Sequence, residues 1–432
     1  MSLLQLARKS LWNRRLSVGL TVFAIAVSVA LLLAVERVRN EARASFAQTV
    51  SGVDLIVGAR GGSSQLLLYS VFRLGEATGN FSWDTFGKLR THPQVAWAIP
   101  VSLGDSHRGY RVLATDDSYF RHYRTGDAQA LRLANAADGV GVPGPDGEAP
   151  YFRGIYDVIL GSDVARRLGY RTGERIVLSH GIAEQALSDH DERPFTVIGV
   201  LAPTGTPVDR TLHIPLAGME ALHVDWQGGA PPLGPGLDAD TVAALDLTPK
   251  SITAAFVGLK SRHAVFNLQR GLNNYPREPL SAILPGVALA ELWQGFALVE
   301  KLLLLVSACV AVAGLLGLLA VMLTSLNERR RELAILRAVG ARPRHVIGLL
   351  LLECGLVGMA GAAAGLLLFH ALLAGLSPWL ASEFGLFIGW RWPAPMEWLM
   401  LAAVVAAAFA SGLVPALRAY RNLLVDGLAP RS

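Results

Sequence analysis

Cysteine is nearly missing from this chain: among 432 residues only Cys309 and Cys354 occur, and both fall inside long apolar runs. A disulfide framework in the intervening polar region is therefore excluded, and thiol redox chemistry finds no pair to work with. Charge is scarce as well. Asp, Glu, Lys and Arg make up 17% of the residues against 52% hydrophobic, and mean hydropathy is +0.39, which excludes an ordinary soluble composition. No GxxxxGK[ST] loop occurs, so the backbone cradle and lysine that hold nucleotide phosphates are absent. The glycine-rich residues 58–63 have neither the spacing nor the lysine and read as a turn. A GxSxG elbow is absent too, which argues against a serine hydrolase.

What the sequence has in quantity is apolar length. A helix of about 20 predominantly apolar residues crosses a bilayer with every backbone polar group bonded internally. Four runs qualify: 16–35, 302–326, 346–376 and 396–417. The first follows a basic segment, as in a signal peptide, but it is too long and leads into charged helix, so it is expected to stay as an anchor. Arginine and lysine near spans are retained in the cytoplasm. Arg8, Lys9, Arg14 and Arg15 precede the first run, six arginines fill 327–345, and Arg418, Arg421 and Arg431 follow the last. Residues 377–395 hold one arginine, Arg391, among Trp379, Phe384, Phe387, Trp390 and Trp392, the composition of an outer interfacial belt. Both termini and 327–345 are then cytoplasmic, and residues 36–295 lie outside. Much of the excess charge behind the net +5 sits at these flanks, so no nucleic-acid partner is expected.

The fold expected is an α-helical membrane protein of four spans carrying a large α+β extracytoplasmic domain. Segments 1–15 and 418–432 are cytoplasmic ends, 327–345 a cytoplasmic loop, and 377–395 a short external loop. Helical spacing at Val35, Val38, Ala42 and Phe46, and again at Leu289, Leu292, Phe296 and Val299, predicts stalk helices flanking the external domain. Within that domain, FSWDTFGKLRTHPQVAWAIPVSL reads as helix, turn and strand. DVILGSDVARRLGYRTGERIVLSHG reads as strand, helix, glycine turn and strand, and the short strands around 151–227 suggest a small barrel or half-barrel. Gly- and Pro-rich stretches at 138–150 and 228–236 read as loops.

The basic loop NERRRELAILRAVGARPRHV is more than a topological signal. Leu333, Leu336 and Gly340 share one helical face, with Ile335 and Val339 beside them. Glu328 with Arg331, and Arg329 with Glu332, stand at i,i+3, and Gly340 followed by Pro343 ends the helix. Charge alone would set topology without the apolar stripe, so the stripe predicts a covering partner. The run from Glu328 to Ala341, ERRRELAILRAVGA, resembles the signature of the MacB/FtsX-type ABC transporter permeases, which include lipoprotein-releasing permeases. The likeness continues through Glu353, the glycine-rich third span and Pro415-Ala416, and it extends to the plan of one span, a large external domain and three spans. VILGSDVARRLGYRTGERIVL and FTVIGVL resemble the small β-rich subdomain that this family inserts, here about 151–227.

The resemblance implies a permease subunit in a bacterial inner membrane. Glu328, Arg331, Glu332, Leu333, Leu336, Arg337, Val339 and Gly340 would form a coupling helix seated on a cytoplasmic ABC ATPase, present in two copies. ATP and Mg2+ would be bound there and no cofactor by this chain, which is then not itself an enzyme. Closure of the ATPases would be relayed through the stalks to the external domain, an arrangement termed mechanotransmission, for export or extraction of a periplasmic or outer-leaflet substrate. The alternative is a non-transporting regulator of a periplasmic partner such as a cell-wall hydrolase. A second permease copy, expected as a homodimer, and a periplasmic protein are further implied partners. Glu353, near the cytoplasmic end of the third span, is expected to bond the coupling loop. Gly361 and Gly365 form a GxxxG that marks close helix packing. His180, His190, His213, His223, Asp189, Asp191 and Asp225 are of metal-ligating type, with His180, His190 and His223 the foremost, but none has a recognised ligand spacing and no metal site is assigned.

Overall fold

The computed structural model describes residues 3–126, 128–141, 150–180, 193–225, 237–328, 342–384 and 390–425. Helices α1 (Leu3–Asn13) and α2 (Arg15–Gln48) open the chain. Strands and helices then alternate: β1 (Leu55–Ala59), α3 (Ser63–Phe72), β2 (Phe81–Ser82), α4 (Trp83–Arg90), β3 (Val95–His107), β4 (Tyr110–Thr115) and α5 (Ser118–His122). After them come β5 (Arg124–Thr125), β6 (Gln129–Ala130), β7 (Leu133–Ala136), β8 (Asp157–Leu160), α6 (Ser162–Leu168), β9 (Arg175–Ile176), β10 (Ser179–His180), β11 (Phe195–Leu201) and β12 (Thr211–Pro215). The series closes with α7 (Leu216–His223), α8 (Ala239–Ala243), β13 (Ser251–Ile252), β14 (Ala254–Leu259), α9 (Val265–Asn273) and β15 (Leu280–Ile283). Four more helices follow: α10 (Pro285–Glu328), α11 (Pro343–Phe384), α12 (Pro395–Ser411) and α13 (Leu413–Val425).

The chain divides into a helical unit, Met1–Glu41 with Phe296–Ala381 and Phe387–Ser432, and a sheet unit, Ala42–Gly295 with Ser382–Leu386. Among the described residues four helical stretches are long and apolar enough to cross a membrane: Arg15–Glu41, Pro285–Leu326, Arg344–Ser377 and Pro395–Arg421. Two of the helices outrun the expected spans. The 34 residues of α2 and 44 of α10 correspond to about 51 and 66 Å at the α-helical rise, against a hydrocarbon core of about 30 Å. Each of these two helices contains residues of both units.

The sheet unit is built on one 11-stranded sheet with the path β15-β1-β14-β3-β4-β12-β8-β11-β7, and off this path β10 pairs β3 and β9 pairs β11. Strand β3 is its spine. The first part of β3 pairs β14, with Ile99 opposite Phe256, and beyond the irregularity between Leu103 and Ser106 it faces Arg111 and Tyr110 of β4. The segment 175–180 pairs β11 through β9 and β3 through β10, so β3, β4, β12, β8, β11 and this segment form a closed circuit of paired strands, in keeping with the small barrel or half-barrel expected around 151–227. Which strands close the circuit was not legible from hydrophobic alternation, which gives a period of two in any sheet.

That alternation sorts the core. Leu55, Val57, Val112, Ala114, Ala255 and Val257 point to one face, covered by apolar residues of α4, α6, α7 and α9. Ile56, Leu113, Ala254 and Phe256 point to the other, beneath α3 and the aromatics of α5. Gly258 is required where β14 meets β3, since a Cβ there would lie 2.1 Å from the Trp97 ring. Helix α4 begins at Ser82, whose Oγ accepts the Thr85 N–H at 3.3 Å, while Glu278 accepts from the Ser82 N–H at 2.7 Å and its hydroxyl at 2.9 Å.

Candidate functional site

In the helical unit, small residues set how closely the helices approach. A Cβ on Gly361 would fall 2.5 Å from Ile25 Cγ2, and one on Gly365 would fall 2.6 Å from Val29 Cβ and 2.8 Å from the Ala26 carbonyl oxygen. The GxxxG stripe of α11 therefore seats α2 of the same chain. On another side of α11, Gly358 faces Ala408 and Gly355 faces Phe409. Helix α10 meets α2 at Gly314, where the Ser28 hydroxyl donates to the Val310 carbonyl at 3.1 Å.

The ends of α10 and α11 that flank residues 329–341 are held in a cluster of their own. Leu326, Val346 and Leu350 pack with Ala416 and Ala419 of α13, and Arg14 donates to the Ser325 carbonyl at 3.2 Å. At the other end of the candidate spans lies a buried ion pair. Arg37 of α2 donates from Nε and Nη2 to the two carboxylate oxygens of Glu397, at 2.8 and 3.0 Å, and both side chains are 1% exposed. Glu397 also accepts the Ala394 N–H at 2.8 Å, capping α12, and the Arg37 guanidinium stands 5.8 Å from the centre of the Phe369 ring on α11. This bidentate geometry ties the first, third and fourth candidate spans together. Beside it, Arg39 and Asn40 donate to the buried Glu36 at 2.7 and 2.9 Å.

In the sheet unit, three elements converge on a second cluster. Asp105 on β3 and His180 on β10 are direct cross-strand partners, and His223 ends α7. His180 Nδ1 lies 3.1 Å from Asp105 Oδ1 and 3.2 Å from His223 Nε2, with His223 Nε2 3.5 Å from Asp105 Oδ1. Asp105 is wholly buried and both histidines are partly exposed. Burial pulls the His223 pKa down, but the Asp105 carboxylate, the Met219 carbonyl and Glu220 outweigh it and hold the ring above the usual histidine range.

The described architecture has clear relatives. Residues 18–250, more than half of the chain, match the MacB-like periplasmic core domain, and residues 304–423 match the FtsX-like permease C-terminal region. The chain belongs to the MacB/FtsX-type ABC transporter permease family. It is 33% identical over 129 residues to the macrolide export ATP-binding/permease protein MacB of Nitrobacter winogradskyi, covering 29% of this chain and 19% of that protein. An ABC transporter permease of Methanocaldococcus jannaschii is 29% identical over 109 residues, 25% of this chain and 26% of that one. The chain thus matches about a fifth to a quarter of the length of these curated relatives. A solved structure, the extracellular domain of the ABC-type transporter YknZ from Gram-positive bacteria, aligns at 11% identity and a TM-score of 0.29 over 54% of this chain and 98% of that one.

As a MacB/FtsX-type permease the chain is a multi-pass membrane protein. Of the residues expected to form its coupling helix, Glu328 is the last of α10; Arg331, Glu332, Leu333, Leu336, Arg337, Val339 and Gly340 lie outside the described residues. Glu353 is buried near the N-terminal end of α11. His180 and His223 come together, while His190 lies outside the described residues with Asp189 and Asp191. Two other residues of metal-ligating type serve elsewhere. Asp225 receives Arg193 Nη1 at 3.2 Å, and His213 is buried between aromatic rings. Sequence reasoning missed Asp105, since its partners are 75 and 118 positions away, and it missed the Arg37–Glu397 pair. For the latter a signal existed: opposite charges stand at the ends of the first and fourth runs remote from their basic flanks.

Proposed function

We propose that this permease is the transmembrane subunit of an ABC transporter that turns ATP-driven closure of a partner ATPase into movement of its sheet unit, for export or extraction of a periplasmic or outer-leaflet substrate. The observation that carries the reading is the pair of unbroken helices, α2 and α10, each holding residues of both units. A continuous helix transmits displacement along its axis, since its hydrogen-bond ladder has no soft joint. The cluster of Leu326, Val346, Leu350, Ala416 and Ala419 supports the same reading, because it packs together the ends of α10 and α11 that flank residues 329–341.

In this reading the coupling helix carries Glu328, Arg331, Glu332, Leu333, Leu336, Arg337, Val339 and Gly340, with both termini on its side of the inner membrane. The ATPase is a separate chain in two copies, and ATP and Mg2+ bind there; this chain has no phosphate-binding loop. A second permease copy completes the assembly. Leu302, Leu305, Val306, Val312 and Leu316 of α10 are exposed in the single chain, as suits a helix that faces lipid or another helix. The test is reconstitution with the partner ATPase. Leu336→Asp and Gly340→Trp are expected to abolish stimulation of ATP hydrolysis while membrane insertion stays intact; stimulation at the parent level in both variants contradicts the assignment.

A further inference from the structure

Asp105, His180 and His223 form a set of donors whose arrangement asks for a cation. The His223 Nδ1–H donates to the Met219 carbonyl at 3.0 Å, so Nε2 is the ring nitrogen turned to the cluster. That nitrogen lies 3.2 Å from His180 Nδ1 and 3.5 Å from Asp105 Oδ1. A metal ion bound here takes the place of a proton among these atoms, since a ligating imidazole nitrogen must be deprotonated. A cation between them is attracted to all three atoms. The carbonyl bond at the far nitrogen is the support that orients imidazole ligands in metal sites, where it fixes both tautomer and ring plane.

The spacing discriminates between ions. Three corners of a tetrahedron around Zn2+, with bonds of about 2.0–2.1 Å, are separated by roughly 3.3 Å. The same bonds in an octahedral site bring neighbouring ligands to roughly 3.0 Å. The observed separations are 3.1, 3.2 and 3.5 Å, each within about 0.2 Å of the tetrahedral value. Two imidazole nitrogens and one carboxylate oxygen are the donor types that suit zinc. The buried Asp105 carboxylate supplies charge where water does not screen it, and Glu220 adds negative potential beside His223.

We propose that Asp105, His180 and His223 bind one Zn2+ in the sheet unit, with a fourth position left for water or a ligand of the ion. The site is independent of the coupling function and stands or falls without it. No sequence motif announces it, because 75 residues separate Asp105 from His180 and 43 separate His180 from His223.

The full chain, purified in detergent on a tag without histidine and stripped with chelator, is titrated with Zn2+ against a chromogenic zinc chelator, and bound metal is counted by mass spectrometry. One Zn2+ per chain is expected, with affinity lowered at least about tenfold in His180→Gln and His223→Gln and unchanged in the exposed control His263→Gln. A parent that binds no zinc, parent-level binding in both cluster variants, or equal loss in the control overturns the proposal. Loading the parent with Co2+ supplies a reading that does not depend on how the variants fold. Intense visible bands of four-coordinate cobalt are expected, and the weak bands of six-coordinate cobalt contradict the site.

Discussion

Between Tyr119 and Phe120 the ring of His213 sits on β12, its Nδ1 3.3 Å from the Ile159 carbonyl and its other nitrogen buried. Burial, reinforced by the nearby Arg73 charge, pulls its pKa down to about 3. The unfolded chain binds a proton there below about pH 6.5 and the folded chain does not, so stability is fully present above that value and is lost as pH falls toward 3. The loss amounts to roughly a factor of ten in the folding constant per pH unit, about 2 kcal/mol by pH 5. His213→Leu is expected to flatten this dependence when denaturant unfolding is compared at pH 7 and pH 5; an unchanged pH dependence in the variant contradicts it. Residue-scale facts of this kind were poorly legible in the sequence. His213 and His223 are ten positions apart and of one type, yet one is locked neutral in the core and the other faces a carboxylate.

At the scale of elements, the sequence was more informative because periodicity is a property of segments. Helix α4, the turn before β3, and the strand–helix order of β8 and α6 follow their hydrophobic patterns. What the patterns left open was which strand joins which sheet, since register and neighbour depend on distant pairings. The small residues of α11 gave a signal of close approach without naming the partner, and the geometry supplies α2. Gly365→Val should force α2 and α11 apart, because the added carbon meets the Ala26 backbone, and overpacking of this kind costs roughly 1–3 kcal/mol. Gly375 has nothing within 4 Å of a built Cβ, so Gly375→Val is expected to be neutral. Thermal aggregation of the two variants in detergent checks the contrast, and equal midpoints would refute the packing argument.

For the whole molecule, the plan of spans around a large domain was legible because apolar length and basic flanks are summed over many residues. The coupling residues are proposed from pattern and resemblance. Their setting adds a physical reason: α10 carries the sheet unit's Pro285 at one end and Glu328 at the threshold of the basic loop at the other. In the proposed function, an ATPase that grips this loop holds one end of a 44-residue helix. The most direct test of that claim is copurification. The tagged chain is extracted in mild detergent beside a variant with Leu333→Asp and Leu336→Asp, and associated proteins are identified by mass spectrometry. The account predicts an ATPase with a phosphate-binding loop that accompanies the parent and is lost from the variant; an ATPase retained by the variant, or absent from both, would contradict it.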